Sequence, residues 1–272
     1  MVVDPSSLAV GWPGEPVVVV SAWRDGDWHT LASRGDLDEV RPWASVTKLA
    51  TALAAAREVD EGRADLRDVV VGDDITLAHL LSHSSGLGFE EGDPVLAVAS
   101  RRVYSNYGID LAAARLATRA DVATWLHERV LGPLSMSSTR LVGRASEGLV
   151  GSTRDLATFA REWVTPTLIP AQRRDLTVTP FLPDLVGVVP GFGRFSPCPW
   201  GLGVEVRGEK HHWMGDWPAP SFGHFGRSGA LALMNVDEGL CVVATSSVAF
   251  GPWARDAWPT WTSTMRELAV AS

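Results

Sequence analysis

The order of strand-like and helical segments along this chain restricts its fold more than any single motif does. Near the start, two apolar runs, Pro16 to Trp23 and Trp28 to Ser33, are joined by Arg24-Asp25-Gly26-Asp27 and read as an antiparallel hairpin. Three more strand-like runs, Trp200–Arg207, Leu231–Val236 and Leu240–Ser246, lie towards the other end, and a helix from about Trp253 to Val270 follows them. The middle reads as helical: Ser45 to Glu58, dense in Ala and Leu, then Thr76–Ser82, Tyr107–Arg119, Val122–Val130 and Thr153–Val164. Asp121 and Ser152 or Thr153 are placed to cap the later helices. This order predicts an α/β (α+β) fold, with an antiparallel five-stranded sheet flanked by helices. Residues 1–60 and 196–272 would build the sheet lobe, and 61–195 a mostly helical second lobe. From Thr165 to Pro220, which holds nine of the 17 prolines, long loops with little regular structure are expected, covering a cleft.

Composition narrows the partners. With 46% apolar and 21% charged residues among 272, the chain has the makeup of an ordered globular protein. Its net charge of −8 is diffuse and acidic, which excludes the basic footprint of a nucleic-acid binder. No apolar run approaches the ~18 residues of a membrane span. The N-terminus lacks a basic segment, a long apolar segment and a small-residue cleavage site, so a cytoplasmic location is expected. Cys198 and Cys241 lie 43 positions apart and form neither a metal-ligand pair nor a disulfide framework. Oligomeric state has no signal here.

Scarce residue types carry the chemical information. The 24 basic residues are 22 Arg and two Lys, Lys48 and Lys210. Tyr (Tyr104, Tyr107) and Asn (Asn106, Asn235) each occur twice. In Ser45-Val46-Thr47-Lys48 the i and i+3 side chains share a helix face, so a serine hydroxyl meets a lysine amine. Apolar neighbours (Ala44, Leu49, Leu53) and the positive end of a helix both depress the lysine pKa, which makes Lys48 a base for a Ser45 nucleophile. Arginine cannot take that role. The free amides of the helix start make the Ser45 N–H an oxyanion donor. Tyr104-Ser105-Asn106 follows, a phenol for proton relay and an amide able to contact Lys48 while holding a substrate carbonyl. His224-Phe225-Gly226-Arg227 precedes an apolar strand, where Gly226 permits close approach and the Arg227 N–H completes an oxyanion hole.

These three elements, 59 and 120 residues apart, resemble the serine β-lactamase and penicillin-binding-protein superfamily, one of whose signatures is SxxK. The branch containing class C β-lactamases, D-alanyl-D-alanine carboxypeptidases and related esterases is the nearest likeness. Leu80-Leu81-Ser82-His83-Ser84-Ser85-Gly86-Leu87 is similar to its LLxHxSGL stretch, and Gly132-Pro133-Leu134 to GPLGM. Ser152-Thr153-Arg154-Asp155-Leu156 is similar to STxxDL, Trp200-Gly201-Leu202-Gly203 to YGLGW, and Gly223-His224-Phe225-Gly226 to GHTG. The resemblance spans about residues 15 to 270 and implies a β-lactamase/transpeptidase-like fold and a single catalytic domain overall, with no cofactor. By it, Ser45 would be acylated, Lys48 would be the general base, and Tyr104 would share proton transfer. Asn106 would orient the acyl side, Ser45 and Arg227 amides would hold the oxyanion, and His224 would stand where the KTG motif has lysine.

The departures favour an esterase or amidase acting on a small ester or amide. The KTG threonine is Phe225, which cannot donate a hydrogen bond to a substrate carboxylate unless Arg227 takes over. The stretch from Tyr104 to His224 is short for the branch, which predicts a trimmed helical lobe and a more open site, and the expected absence of a leader sets the chain apart from exported enzymes that meet peptidoglycan. A β-lactamase or D-Ala-D-Ala carboxypeptidase is the alternative, and a non-catalytic ligand-binding protein of the same fold the second. His79 and His83 are four apart but lack a third ligand, so no metal is expected. His211-His212 reads as surface, while Trp213 and Trp217 are candidates for lining a pocket. No nucleophile elbow, P-loop or dinucleotide fingerprint is present.

Overall fold

The structure is a computed structural model and describes residues 5–271. Strands β1 (Val17–Arg24) and β2 (Asp27–Arg34) form the hairpin, turning through Asp25 and Gly26, both at positive φ, as its twist requires. β3 (Val40–Pro42) leads into a 3₁₀ turn, Ala44–Val46, and then helix α1 (Thr47–Asp60). A ribbon of β4 (Val69–Val71) and β5 (Ile75–Thr76) precedes α2 (Leu77–Leu81), α3 (Asn106–Leu116) and α4 (Val122–Leu126). β6 (Arg140–Leu141) and β7 (Leu149–Ser152) join β3 in a small sheet, and α5 (Thr153–Val164) follows. Then come α6 (Ala171–Val178), the hairpin β8 (Gly187–Val189) and β9 (Gly193–Phe195), and β10 (Glu205–Val206). β11 (Phe222–Phe225), β12 (Leu231–Asn235), β13 (Leu240–Thr245) and α7 (Pro252–Ala271) complete the chain.

The main sheet is antiparallel, in the order β10-β11-β12-β13-β1-β2, so the two ends of the chain meet at its centre: Val17 pairs with Thr245 and Ala22 with Leu240. The broad α/β class holds, with six strands where five were expected. The added strand is β11, whose Phe-Gly-His-Phe sequence is too short and mixed to show a period of two. The run Trp200–Arg207 contributes only Glu205–Val206.

Alternation along the strands builds two cores. Val18, Val20, Leu233 and Val242 face α7 with Trp258 and Met265, while Val19, Ala232, Cys241 and Val243 face α1 and α5. The segment 165–220 is more regular than its prolines imply, since it contains α6, the β8–β9 hairpin and β10. Trp213 and Trp217 are fully buried in the α7-side core instead of lining a pocket. Among the described residues no helix is long and apolar enough to cross a membrane.

Candidate active site

Ser45 lies in the 3₁₀ turn that opens α1, not in the α-helix itself, and the turn still keeps it one turn before Lys48. Trp43 anchors this corner: it is fully buried, its amide donates to the Leu149 carbonyl at 2.9 Å, and its indole donates to the Gly151 carbonyl at 3.2 Å. Ala44 is held in the left-handed region (φ 46°), an arrangement that costs an alanine about 1 kcal/mol and that the surrounding packing must offset.

Lys48 is wholly buried, and its Nζ lies 3.1 Å from Ser45 Oγ, 2.7 Å from Asn106 Oδ1 and 2.8 Å from the Ser146 carbonyl. Burial, the largest influence, brings its pKa down to about 7. A neutral amine has two N–H donors and one lone pair. Asn106 Oδ1 and the Ser146 carbonyl can only accept and take both donors, which leaves the lone pair facing the Ser45 hydroxyl.

A ring of charges supports that amine. Asn106, first residue of α3 behind a Ser105 cap, donates from Nδ2 to Glu90 at 3.1 Å. Arg144 bridges Glu90 and Asp110, each at 2.6 Å, and Asp110 accepts from the Ser146 amide at 2.9 Å, closing the circuit at Lys48. Asp110, Glu147 and Glu90 favour the charged lysine and Arg144 opposes it.

Tyr104 sits across Ser45 with its ring face 4.8 Å from Lys48 Nζ. Its hydroxyl hydrogen-bonds Ser45 and lies 3.5 Å from His224 Nε2. Burial holds the phenol far above its usual range, so it stays protonated. His224 Nδ1 is 2.7 Å from the Phe225 carbonyl, which only accepts, so Nδ1 carries the hydrogen and Nε2 the lone pair. Burial and then the Lys48 charge push the His224 pKa down to about 3, and the imidazole is neutral.

Gly226, at the end of β11, packs against the Ser45 corner. A Cβ there would run into the Trp43 carbonyl oxygen and lie 2.9 Å from Ala44 Cβ and 3.1 Å from the Ser45 nitrogen. Only glycine lets β11 come this close, and the next residue, Arg227, borders the same cavity as Ser45, its amide without a backbone partner among the described residues. In front of Ser45 opens a mainly apolar cavity of about 150 Å³, bounded by Tyr104, Trp200, Phe225, Phe250 and the Val189–Gly191 segment. Glu147, Glu205, His224 and Arg227 also border it.

The predicted residues Ser45, Lys48, Tyr104, His224, Gly226 and Arg227 therefore converge. Asn106 joins them from behind Lys48 and does not border the cavity. His212, expected at the surface, is buried: its Nε2 donates to Glu205 at 2.7 Å, beside Lys210 at 2.8 Å and the Trp213 indole at 2.9 Å. Glu90, Asp110 and Glu205 sit in no pattern of the sequence; the rarity of lysine, at Lys210, is the one signal there for this cluster. His79 Nδ1 is engaged by Thr76 and His83 Nδ1 accepts from the Ser105 amide at 3.2 Å. Among the described residues no group of His, Cys, Asp and Glu is arranged to hold a metal.

A sheet flanked by helices, with a half-buried serine three residues before a buried lysine at a helix start, defines a class of serine hydrolase folds. The family profile described as Beta-lactamase matches residues 13–262, and the chain belongs to that family. A beta-lactamase from Mycobacterium bovis is 34% identical over 98% of this chain and 100% of its own, with a TM-score of 0.92. Two more distant structures share the fold. A simvastatin synthase variant from Aspergillus terreus has 16% identity, 99% and 100% coverage and a TM-score of 0.79. A beta-lactamase/D-alanine carboxypeptidase from Yersinia pestis has 18% identity, 98% and 95% coverage and a TM-score of 0.75. No protein of curated function matches the chain.

Proposed function

We propose that this protein is a serine hydrolase that cleaves a small ester or amide through an acyl-enzyme on Ser45. The observation that carries the reading is the position of a fully buried Lys48, with its pKa brought down to about 7, 3.1 Å from the Ser45 hydroxyl. Lys48 and not Tyr104 is the base, because burial acts on the two in opposite directions: it neutralises the amine and keeps the phenol protonated.

Lys48 takes the Ser45 proton as Oγ bonds to the substrate carbonyl carbon, and the resulting oxyanion lies against the Ser45 and Arg227 amides. The tetrahedral intermediate collapses by breaking the bond to the leaving group. That group receives a proton through the Tyr104 hydroxyl, which Lys48 replenishes. Water then attacks the acyl-enzyme carbonyl carbon as Lys48 accepts its proton, the bond from that carbon to Ser45 Oγ breaks to release the acid, and Lys48 returns the proton to Oγ. The substrate is a small molecule, and no step calls on a cofactor.

Hydrolysis of p-nitrophenyl acetate by the wild type and by Ser45→Ala and Lys48→Met tests this. Both substitutions are expected to lower kcat by about 10³-fold or more while leaving the melting temperature within a few degrees. Full activity in Ser45→Ala would falsify the mechanism. A β-lactamase activity is the second reading, supported by the name of the 34% identical M. bovis relative. Ser45-dependent nitrocefin turnover exceeding ester turnover would favour it.

A further inference from the structure

The cavity before Ser45 has a charge pattern that selects among substrates. Glu205 borders it from a fully buried position and is held ionised by Lys210, His212 and the Trp213 indole. The carboxylate's pKa lies far below its usual range, with the Lys210 charge the largest influence in that direction. Glu147 is a second carboxylate on the border. Lys210 balances Glu205 and Arg227 reaches Glu147, so among the described residues the cavity wall presents no unpaired buried cation. His224 is neutral, Lys210 is spent on Glu205, and Lys48 stands behind Ser45 outside the wall. The Arg227 side chain is 83% exposed at the rim, 3.9 Å from Glu147. Where the family threonine would stand, Phe225 presents a ring. A substrate carboxylate entering here would be stripped of water among apolar walls, with Arg227 at the rim as the one cation on the border among the described residues.

The cavity's end is set by packing. Phe250 lies 5.1 Å from Phe225 and 5.4 Å from Trp258, centroid to centroid, and its amide donates to the Arg227 carbonyl at 3.0 Å. Gly191 at φ 81° is pressed against it, since a Cβ there would lie 2.5 Å from Phe250 Cζ. The ring is thus a fixed end wall tied to the residue whose amide faces the oxyanion. An apolar cavity of about 150 Å³ admits a guest the size of benzene.

Resting on the acyl-enzyme reading, we propose that this cavity is an acyl pocket for an uncharged, apolar acyl group of about four to six carbons, with Phe250 setting its depth and its apolar walls excluding carboxylates. The test is kcat/KM, which reports acylation, for p-nitrophenyl acetate, butanoate, pentanoate, hexanoate and octanoate and for mono-p-nitrophenyl glutarate. The rate constant is expected to rise about fourfold per methylene up to about six carbons and to fall at octanoate. The glutarate ester should run about a hundredfold or more below the pentanoate. In Phe250→Ala the optimum should move to octanoate.

A flat chain-length series, a glutarate ester as fast as the pentanoate, or an unmoved optimum in Phe250→Ala would overturn the pocket while Ser45-dependent turnover kept the mechanism standing. Ester turnover unaffected by Ser45→Ala would remove the acyl-enzyme itself, and the pocket with it.

Discussion

Gly226 shows how one side chain can be excluded by chemistry that lies elsewhere. The Trp43 carbonyl that a methyl group at 226 would strike belongs to a fully buried residue fixed at both its amide and its indole, so the corner cannot yield cheaply. β11 would have to retreat instead, carrying the Arg227 amide away from the oxyanion position proposed for it. Gly226→Ala is expected to cut kcat/KM for p-nitrophenyl butanoate by about 10²-fold, the worth of one oxyanion donor, with a melting temperature lowered by only a few degrees. Near-wild-type kcat/KM in that variant would remove Arg227 from the oxyanion site. At this scale the sequence was informative wherever rarity and spacing coincided. Lys48 stood out because it was one of two lysines, three residues after a serine at a helix start. Glu205 had no such mark, since nothing local says that a glutamate on a two-residue strand points inward to meet Lys210 and His212.

Between elements, the circuit from α1 to α3 through Asn106, Glu90, Arg144, Asp110 and Ser146 sets the proton affinity of Lys48. The charges facing the amine are Glu90, Asp110, Glu147 and Arg144, and it in turn bears on His83 and His224. Since the base must be neutral, kcat/KM is expected to rise with pH through about 7. Asp110 favours the protonated amine, so Asp110→Asn, which keeps an acceptor for the Ser146 amide, lowers the Lys48 pKa and moves this limb to lower pH. Arg144→Gln, which removes a cation, moves it to higher pH. A pH–rate profile for each variant reads the two directions, and an unmoved limb in both would detach the circuit from Lys48. Helix α5 was legible to the residue because Ser152 caps it, its Oγ accepting from the Asp155 amide at 3.1 Å. α1 begins two residues later than its apolar pattern implies, because the 3₁₀ turn at Ala44–Val46 continues that pattern with different hydrogen bonding. The circuit itself crosses up to 98 positions, from Lys48 to Ser146, and no local pattern encodes such a contact.

For the whole molecule, the decisive fact is that both cores are built on the same strands. Adjacent residues of β1, Val18 and Val19, point into opposite cores, as do Val242 and Val243 of β13. A chain of 272 residues is near the size at which single cores give way to separate domains, and its helical middle invites that division. The central pairing of Val17 with Thr245 argues against independent units, because β1 and β13 serve both faces and come from opposite ends of the chain. Losing one core strips the strands on which the other rests. Two optical probes separate the possibilities. The buried tryptophans weigh towards the α7 side, six there (among them Trp213, Trp258 and Trp261) against Trp43, Trp125 and Trp163 in the other core, whereas α1, α3 and α5 together carry more helix than α7. Urea unfolding followed by tryptophan emission and by far-ultraviolet circular dichroism is expected to give coincident transitions with one midpoint. Two separated midpoints would mean that the middle of the chain holds its structure without the sheet. In that case Lys48, fixed between α1, Asn106 of α3 and the Ser146 carbonyl, could lose its alignment with Arg227 on the sheet before either core melted.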